Sequence, residues 1–290
     1  MLISLNGIQK EYLHPVTVAQ VVRDLMPDMH RQVLGCFCNG HMLQSGCAMQ
    51  ALTYQDEEGR RIYERTLRFV LLMAVRRCFS GEQVRIEHSI GSGIYIILKE
   101  QRLYPNDVLT IEDTMRDIVK EDLPLVKSRW SREEAIDYFK RQEDDEKARL
   151  LSYRPYDFFN IYQCGGLAEY FYGAMLPSTG WVPVFALHPK TPGFVMLLPS
   201  KEDDSKPAAF VSQPKQMATF AQSNYWCRVL DCTDAADLND LIKQDRLRDF
   251  IRVNEALHDK SIAEIAADIV DRGSRAIFIS GPSSSGKTTF

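Results

Sequence analysis

Two short strand-like stretches, residues 1–6 and 8–13, flank Asn6-Gly7. This dipeptide favours the positive φ angles of a tight type I′ turn, so the chain is predicted to open with a hairpin. Thr17 then precedes Val18, Val21, Val22 and Leu25, a helical spacing with an N-cap, and Pro27 ends the run. A strand-like stretch from Val33 to Asn39 leads into a second turn dipeptide, Asn39-Gly40, and the polar segment Tyr54 to Gly59 reads as a surface boundary. These elements predict a first module over residues 1–60.

Leu67, Val70, Leu71, Ala74, Val75 and Cys78 predict a helix over 66–79 with one buried stripe. Val84, Ile86 and His88 alternate with polar residues, Gly91-Ser92-Gly93 supplies a turn, and Ile94, Ile96 and Leu98 alternate again, which predicts a second hairpin. Ile111, Met115, Ile118 and Val119 mark another helix. Ser131 and Glu134 form a capping-box pattern, and the helix they start is expected to run through the charged, solvated stretch 141–149 to Leu151. Between Phe158 and Leu198 aromatic and β-branched residues dominate, with Pro177 to Gly180 as a turn, Trp181 to Leu187 as a strand, and a polar loop at 201–207. Antiparallel strands and helices in separate runs predict an α+β fold.

Leu238, Leu241, Ile242, Leu247, Phe250, Ile251, Val253 and Leu257 predict further helices. Ser261 with Glu264 predicts a fresh helix start, and Gly273 a stop. The apolar run Ala276 to Ile279 reads as a strand buried on both faces.

The 290 residues are 45% hydrophobic and 26% charged, room for two or three domains. A net charge of −4 gives no broad footprint for nucleic acid or an anionic membrane, so any RNA contact is expected to be local. The N-terminus lacks a secretory pattern and no apolar run is long enough to span a bilayer, which predicts a cytoplasmic location. Seven cysteines fit a reducing compartment. Cys36, Cys38, Cys47 and His41 have the spacing C-x-C-x2-H-x5-C, which matches no common zinc pattern, and they are read as structural.

One motif carries chemistry. Gly281-Pro282-Ser283-Ser284-Ser285-Gly286-Lys287-Thr288 fits G-x-x-x-x-G-K-[ST] at every fixed position, directly after the predicted strand. A polyphosphate must be surrounded by backbone N–H groups, and Gly281 and Gly286 let the main chain aim them inward. Lys287 would place an ammonium on the β and γ phosphates of ATP, and Thr288 a hydroxyl on Mg²⁺, with Thr289 completing the loop. Such a site also needs an acidic residue from another strand to hold magnesium. The chain is therefore expected to be the front of a longer polypeptide and unable to turn over ATP alone.

The string GPSSSGKTTF, preceded by Glu255 to Lys260, resembles the uridine kinase and phosphoribulokinase group of P-loop kinases, and looks most like bacterial nucleoside kinases with a long N-terminal extension. That extension is similar to the N-terminal domains of threonyl-tRNA synthetase. Residues 1–60 resemble the β-grasp TGS domain. His88-Ser89-Ile90-Gly91-Ser92-Gly93-Ile94-Tyr95, together with Ile111 to Met115, resembles the second additional domain, which edits mischarged tRNA. The editing motif pairs H-x-x-x-H on a helix with C-x-x-x-H on a later segment. Here Phe69, Met73 and Ala168 stand in the histidine positions and only Cys164 remains, so neither zinc nor editing is carried over.

The resemblance implies a TGS-like domain (1–60), an editing-domain-like α+β domain (61–225), a helical connector (226–274) and the start of a P-loop kinase domain (275–290). It implies an ATP- and magnesium-dependent kinase acting on a nucleoside-type acceptor, with Lys287 as its catalytic group. The alternative is a module binding RNA or another macromolecule, coupled to a P-loop nucleotide switch.

Overall fold

The opening hairpin forms as its turn chemistry requires. Strands β1 (Leu2–Leu5) and β2 (Ile8–Glu11) pair antiparallel, with Asn6 at φ 49° and Gly7 at φ 85°. Both angles are left-handed, a region that asparagine and glycine enter at low cost. Helix α1 (Val18–Leu25) starts where the Thr17 hydroxyl accepts the Gln20 N–H at 3.2 Å. Strands β3 (Gly35–Cys38) and β4 (Cys47–Leu52) complete a sheet of order β2-β1-β4-β3 in which β1 and β4 run parallel. Ile3, Leu5, Val21, Val22, Met49 and Ala51 give this first module a core of its own. The computed structural model describes residues 2–38, 47–281 and 283, so the predicted Asn39-Gly40 turn lies outside the described residues.

The helix predicted over 66–79 begins much earlier: α2 spans Glu57–Cys78. The polar segment taken for a boundary is its N-terminus. Asp56 accepts the Thr53 N–H at 2.7 Å, and Glu57 and Glu58 sit where the helix dipole favours negative charge. Gly59 serves close packing, not a turn, because a Cβ there would lie 1.9 Å from the Thr53 carbonyl oxygen.

After α2 the chain forms β5 (Val84–Ile90), β6 (Gly93–Leu98) and α3 (Pro105–Glu121), the first two as the predicted second hairpin. Then follow β7 (Val126–Ser131), α4 (Arg132–Arg141), α5 (Asp145–Tyr153), β8 (Phe158–Cys164) and β9 (Leu167–Tyr170). Strands β10 (Ala186–Lys190) and β11 (Gly193–Leu197) close a sheet of order β10-β11-β6-β5, while β7, β8 and β9 make a separate antiparallel sheet. The largest core joins α2 and α3 to the inner side of the four-stranded sheet through Leu67, Val70, Ile96, Ile111, Met115 and Phe194. Helices with mainly antiparallel sheets make the fold α+β.

Ser131 forms its capping box with Glu134, at 2.7 and 3.1 Å. The helix it starts stops short of the expected Leu151. Glu143 adopts φ 59°, and Asp144 then caps α5 by accepting the Lys147 N–H. This break folds α4 back on α5, so Phe139, Ala148 and Leu151 bury together against Phe159 and Ile161. The strand expected at Trp181 to Leu187 is a 3₁₀ turn (Thr179–Trp181) and irregular chain until Ala186. Pro183 cannot donate to a ladder, and Val182 and Phe185 fill the core instead.

The backbone divides into two compact units, Met1–Phe220 and Ala221–Phe290, and α6 (Pro214–Val229) runs across the division. In the second unit α7 (Ala235–Lys243) is capped by Asp234, and α8 runs Leu247–Asp271 without the break predicted at Ser261. No glycine or proline precedes Ser261 within α8, so nothing stops the helix for a new cap to restart. Gly273, at φ 60°, follows its end as predicted. Residues 276–280 form no strand and are exposed, Phe278 by 94%, which corrects the expected buried strand. A fully apolar strand of this kind needs partners on both edges, and no described strand pairs with it.

Candidate functional site

The four positions at which the editing motif would place metal ligands lie in the buried core. α2 carries Phe69 and Met73 inward, and Cys164 and Ala168 sit at the end of β8 and in β9; all four are buried. The Phe69 ring packs 6.1 Å from Phe171, and Met73 reaches so close to Gly165 that a Cβ there would stand 2.9 Å from its Cε. Burial pushes the Cys164 thiol up, against the pull of Arg77, which is itself bound to Glu121 by two bonds of 2.7 and 2.9 Å. A thiol so placed is a poor nucleophile and a poor ligand.

His88 takes the opposite side of the four-stranded sheet. Its ring stacks on Phe220 with centroids 3.8 Å apart and stands 5.5 Å from Tyr95, and its Nε2 is buried without a hydrogen-bond partner. Burial pushes its pKa down, with Glu87 opposing. His188 stacks on Phe210 in the same way at 3.9 Å. The retained histidine is thus packed between aromatic rings, an arrangement suited to holding the 208–220 segment in place and not to proton transfer.

Exposed chemistry gathers around the β7-β8-β9 sheet. The β7–β8 register sets Arg129 opposite Asn160 and Lys127 opposite Tyr162. The Arg129 guanidinium lies 4.3 Å from the centre of Phe158, and that of Arg154 lies 5.2 Å from both Tyr156 and Tyr172. Phe158, Tyr156 and Tyr172 are each half exposed or more. Cations held against accessible rings can pair with phosphates while the rings stack on unpaired bases. Beneath this sheet Lys147 clamps Glu169 with two bonds of 2.8 Å. Burial would lower the Lys147 pKa, but Glu169 and Asp144 outweigh it and hold the ammonium charged. Sequence reasoning missed these pairs, although alternation of Lys127 and Arg129 in one strand was a readable sign.

Of the predicted phosphate loop, Gly281 and Ser283 are described and exposed; Pro282, Ser284, Ser285, Gly286, Lys287, Thr288 and Thr289 lie outside the described residues. Among the described residues no helix is long and apolar enough to cross a membrane.

No family model matches the chain. It is 33% identical over 183 residues to a threonine–tRNA ligase of Desulforamulus reducens, covering 60% of this chain and 29% of that protein. It is 30% identical over 184 residues to the threonine–tRNA ligase of Syntrophomonas wolfei (60% and 29%), and 29% identical over 182 residues to that of Clostridioides difficile (60% and 28%). The chain thus spans less than a third of the length of these relatives. Their identity corrects the expected function: the similar proteins are tRNA ligases, not kinases, so a phosphotransferase acting on a nucleoside does not stand.

Proposed function

We propose that this chain is an RNA-binding module of the kind that precedes the catalytic part of a threonine–tRNA ligase, coupled to a phosphate-binding loop. The observation that carries this reading is the 29 to 33% identity to threonine–tRNA ligases over 60% of the chain. The fold supports it: the four-stranded sheet of residues 2–52 with α1 across it suits a TGS-like β-grasp module, and the rest of the first unit an editing-domain-like module. Apolar packing at Phe69, Met73 and Ala168 argues for recognition without editing hydrolysis. The exposed Arg129–Phe158 pair, and the half-buried Arg154 against the exposed Tyr172, supply local charge and stacking on a chain whose net charge is −4.

The residue types of the loop, two glycines with Lys287 and Thr288, fit a magnesium-bound triphosphate: main-chain amides and Lys287 would hold phosphate oxygens and Thr288 would offer its hydroxyl to magnesium. Bound ATP would supply the negative charge on which these groups act.

The test is retention of unmodified tRNA by the whole chain across a salt series. Affinity should fall by at least about tenfold between 50 and 200 mM salt if a few phosphates are neutralised. Joint Arg129→Gln and Arg154→Gln substitution should reduce both affinity and salt slope. Absence of tRNA retention at low salt would overturn the reading, and tRNA affinity indifferent to magnesium-ATP would remove the coupling.

A further inference from the structure

A cavity of about 600 Å³ opens between the first module and α2. Its walls are Val22 and Ala19 of α1, Leu34 beside β3, Ile62 of α2, and Met175 and Trp181 from the segment before β10. This volume lies within the range of drug-sized ligand sites, and its apolar walls offer water few partners.

Charge at the cavity is one-sided. Arg23 and Arg31 line it, and Glu58 is its sole carboxylate among the described residues. Glu58 is already occupied: Arg65 binds it at 2.8 Å and Arg61 at 3.4 Å, and this hydrogen bonding holds its carboxyl below the usual range. Arg23 spends only its Nε, on the Ala19 carbonyl of its own helix, and Arg31 has no described ion pair or hydrogen bond. Guanidinium groups with unspent donors beside an apolar chamber match a molecule with an anionic head and an apolar body.

We propose that this cavity binds a small amphipathic carboxylate, its apolar body against Ala19, Val22 and Ile62 and its head on Arg23 and Arg31. The walls come from α1 and β3 on one side and from α2 and the 174–181 segment on the other, so an occupant ties the first module to the second. A ligand that binds only this folded arrangement raises its stability by mass action. The site is independent of the RNA reading, and its test involves no RNA.

The probe is anilinonaphthalene sulfonate, an apolar fluorescent anion, titrated into the whole chain, with decanoate and decanol as competitors. One saturable site is expected, displaced by decanoate and not by decanol. Arg31→Gln should weaken it about tenfold, and Arg31→Lys less, the loss of one charge-assisted contact. Ala19→Phe, an exposed helix position that tolerates a larger side chain, should abolish the saturable component while the melting transition of the free protein is kept. Probe uptake unchanged in Ala19→Phe and Arg31→Gln would overturn the site, and equal displacement by decanol would overturn the anionic ligand. A rise in melting temperature with decanoate in the parent and none in Ala19→Phe would confirm the link between modules.

Discussion

The two faces of the β10-β11-β6-β5 sheet, built from the same strands, hold different chemistry. The inner face presents Ile94, Ile96, Leu98, Phe194 and Met196 to α2 and α3 and carries no titratable group. The outer face presents Tyr95, Ile97, Val195 and Leu197 to Phe210 and Met217, with His88 and His188 stacked between strand and cover. Strand alternation makes the division automatic, since neighbouring residues point to opposite sides. What differs is the cover: helices that exclude water on one side, a single aromatic-rich segment on the other. The face packed hardest is the one beside which α2 buries Phe69 and Met73, the positions where the editing motif would carry histidines.

The largest effect should come from restoring an imidazole to the inner side. Phe69→His removes ring volume at a position with no exposed surface and buries a polar ring without a partner, at a cost of about 3–5 kcal/mol by urea denaturation. A stable variant that takes up zinc would break the contrast, because it would mean that the core still has room for a ligand. Thr66→Val should cost less, about 1–3 kcal/mol. The Thr66 hydroxyl donates to the Ile62 carbonyl and accepts the Leu176 N–H, both at 2.9 Å, and valine leaves that amide unpaired in the core. On the outer side Phe220→Ala should lose roughly 1 kcal/mol, since it removes one stacked ring from a half-buried cover. Hydrogen exchange should then rise at β5 and β6 outer positions and stay unchanged in α3.

Local signals were the legible part of this fold. Asn6-Gly7, the Thr17 cap, the Ser131–Glu134 box, both hairpins and the stop at Gly273 depend on contacts a few residues apart, and each appears where its chemistry asks. Failures came where distant packing decides. Glu57 and Glu58 look like loop residues until Asp56 is seen to begin a helix, and the charged stretch after Phe139 conceals a reversal that buries Leu151. An apolar run is a strand only if partners meet it, which 276–279 does not. The same limit applied to the site: Phe69, Met73 and Ala168 were readable as missing ligands, but Arg154 meeting Tyr172 across two elements was not. The kinase reading rested on residues 281–290 and the stretch Glu255 to Lys260 before them, whereas similarity to tRNA ligases spans 60% of the chain.

The smallest effect expected is a pH dependence confined to the outer face, and its sign follows from burial. His88 is held neutral because burial beneath Phe220 outweighs Glu87, the one charge that favours protonation there, and Tyr95 beside it is neutral in this range. Its folded pKa lies below the unfolded value of 6.5, so the unfolded chain binds the proton first as the solution is acidified. The contribution is therefore complete above pH 6.5 and is lost as pH falls from there through the folded pKa. Carboxylates elsewhere also titrate on acidification, so the informative quantity is the difference between the parent and His88→Phe, which keeps a flat ring for Phe220 to stack on. Urea midpoints measured at neutral and mildly acidic pH should fall more steeply for the parent. Parallel lines for the two proteins would show that the imidazole is solvated, and that the two faces of the sheet do not differ in the way their packing indicates.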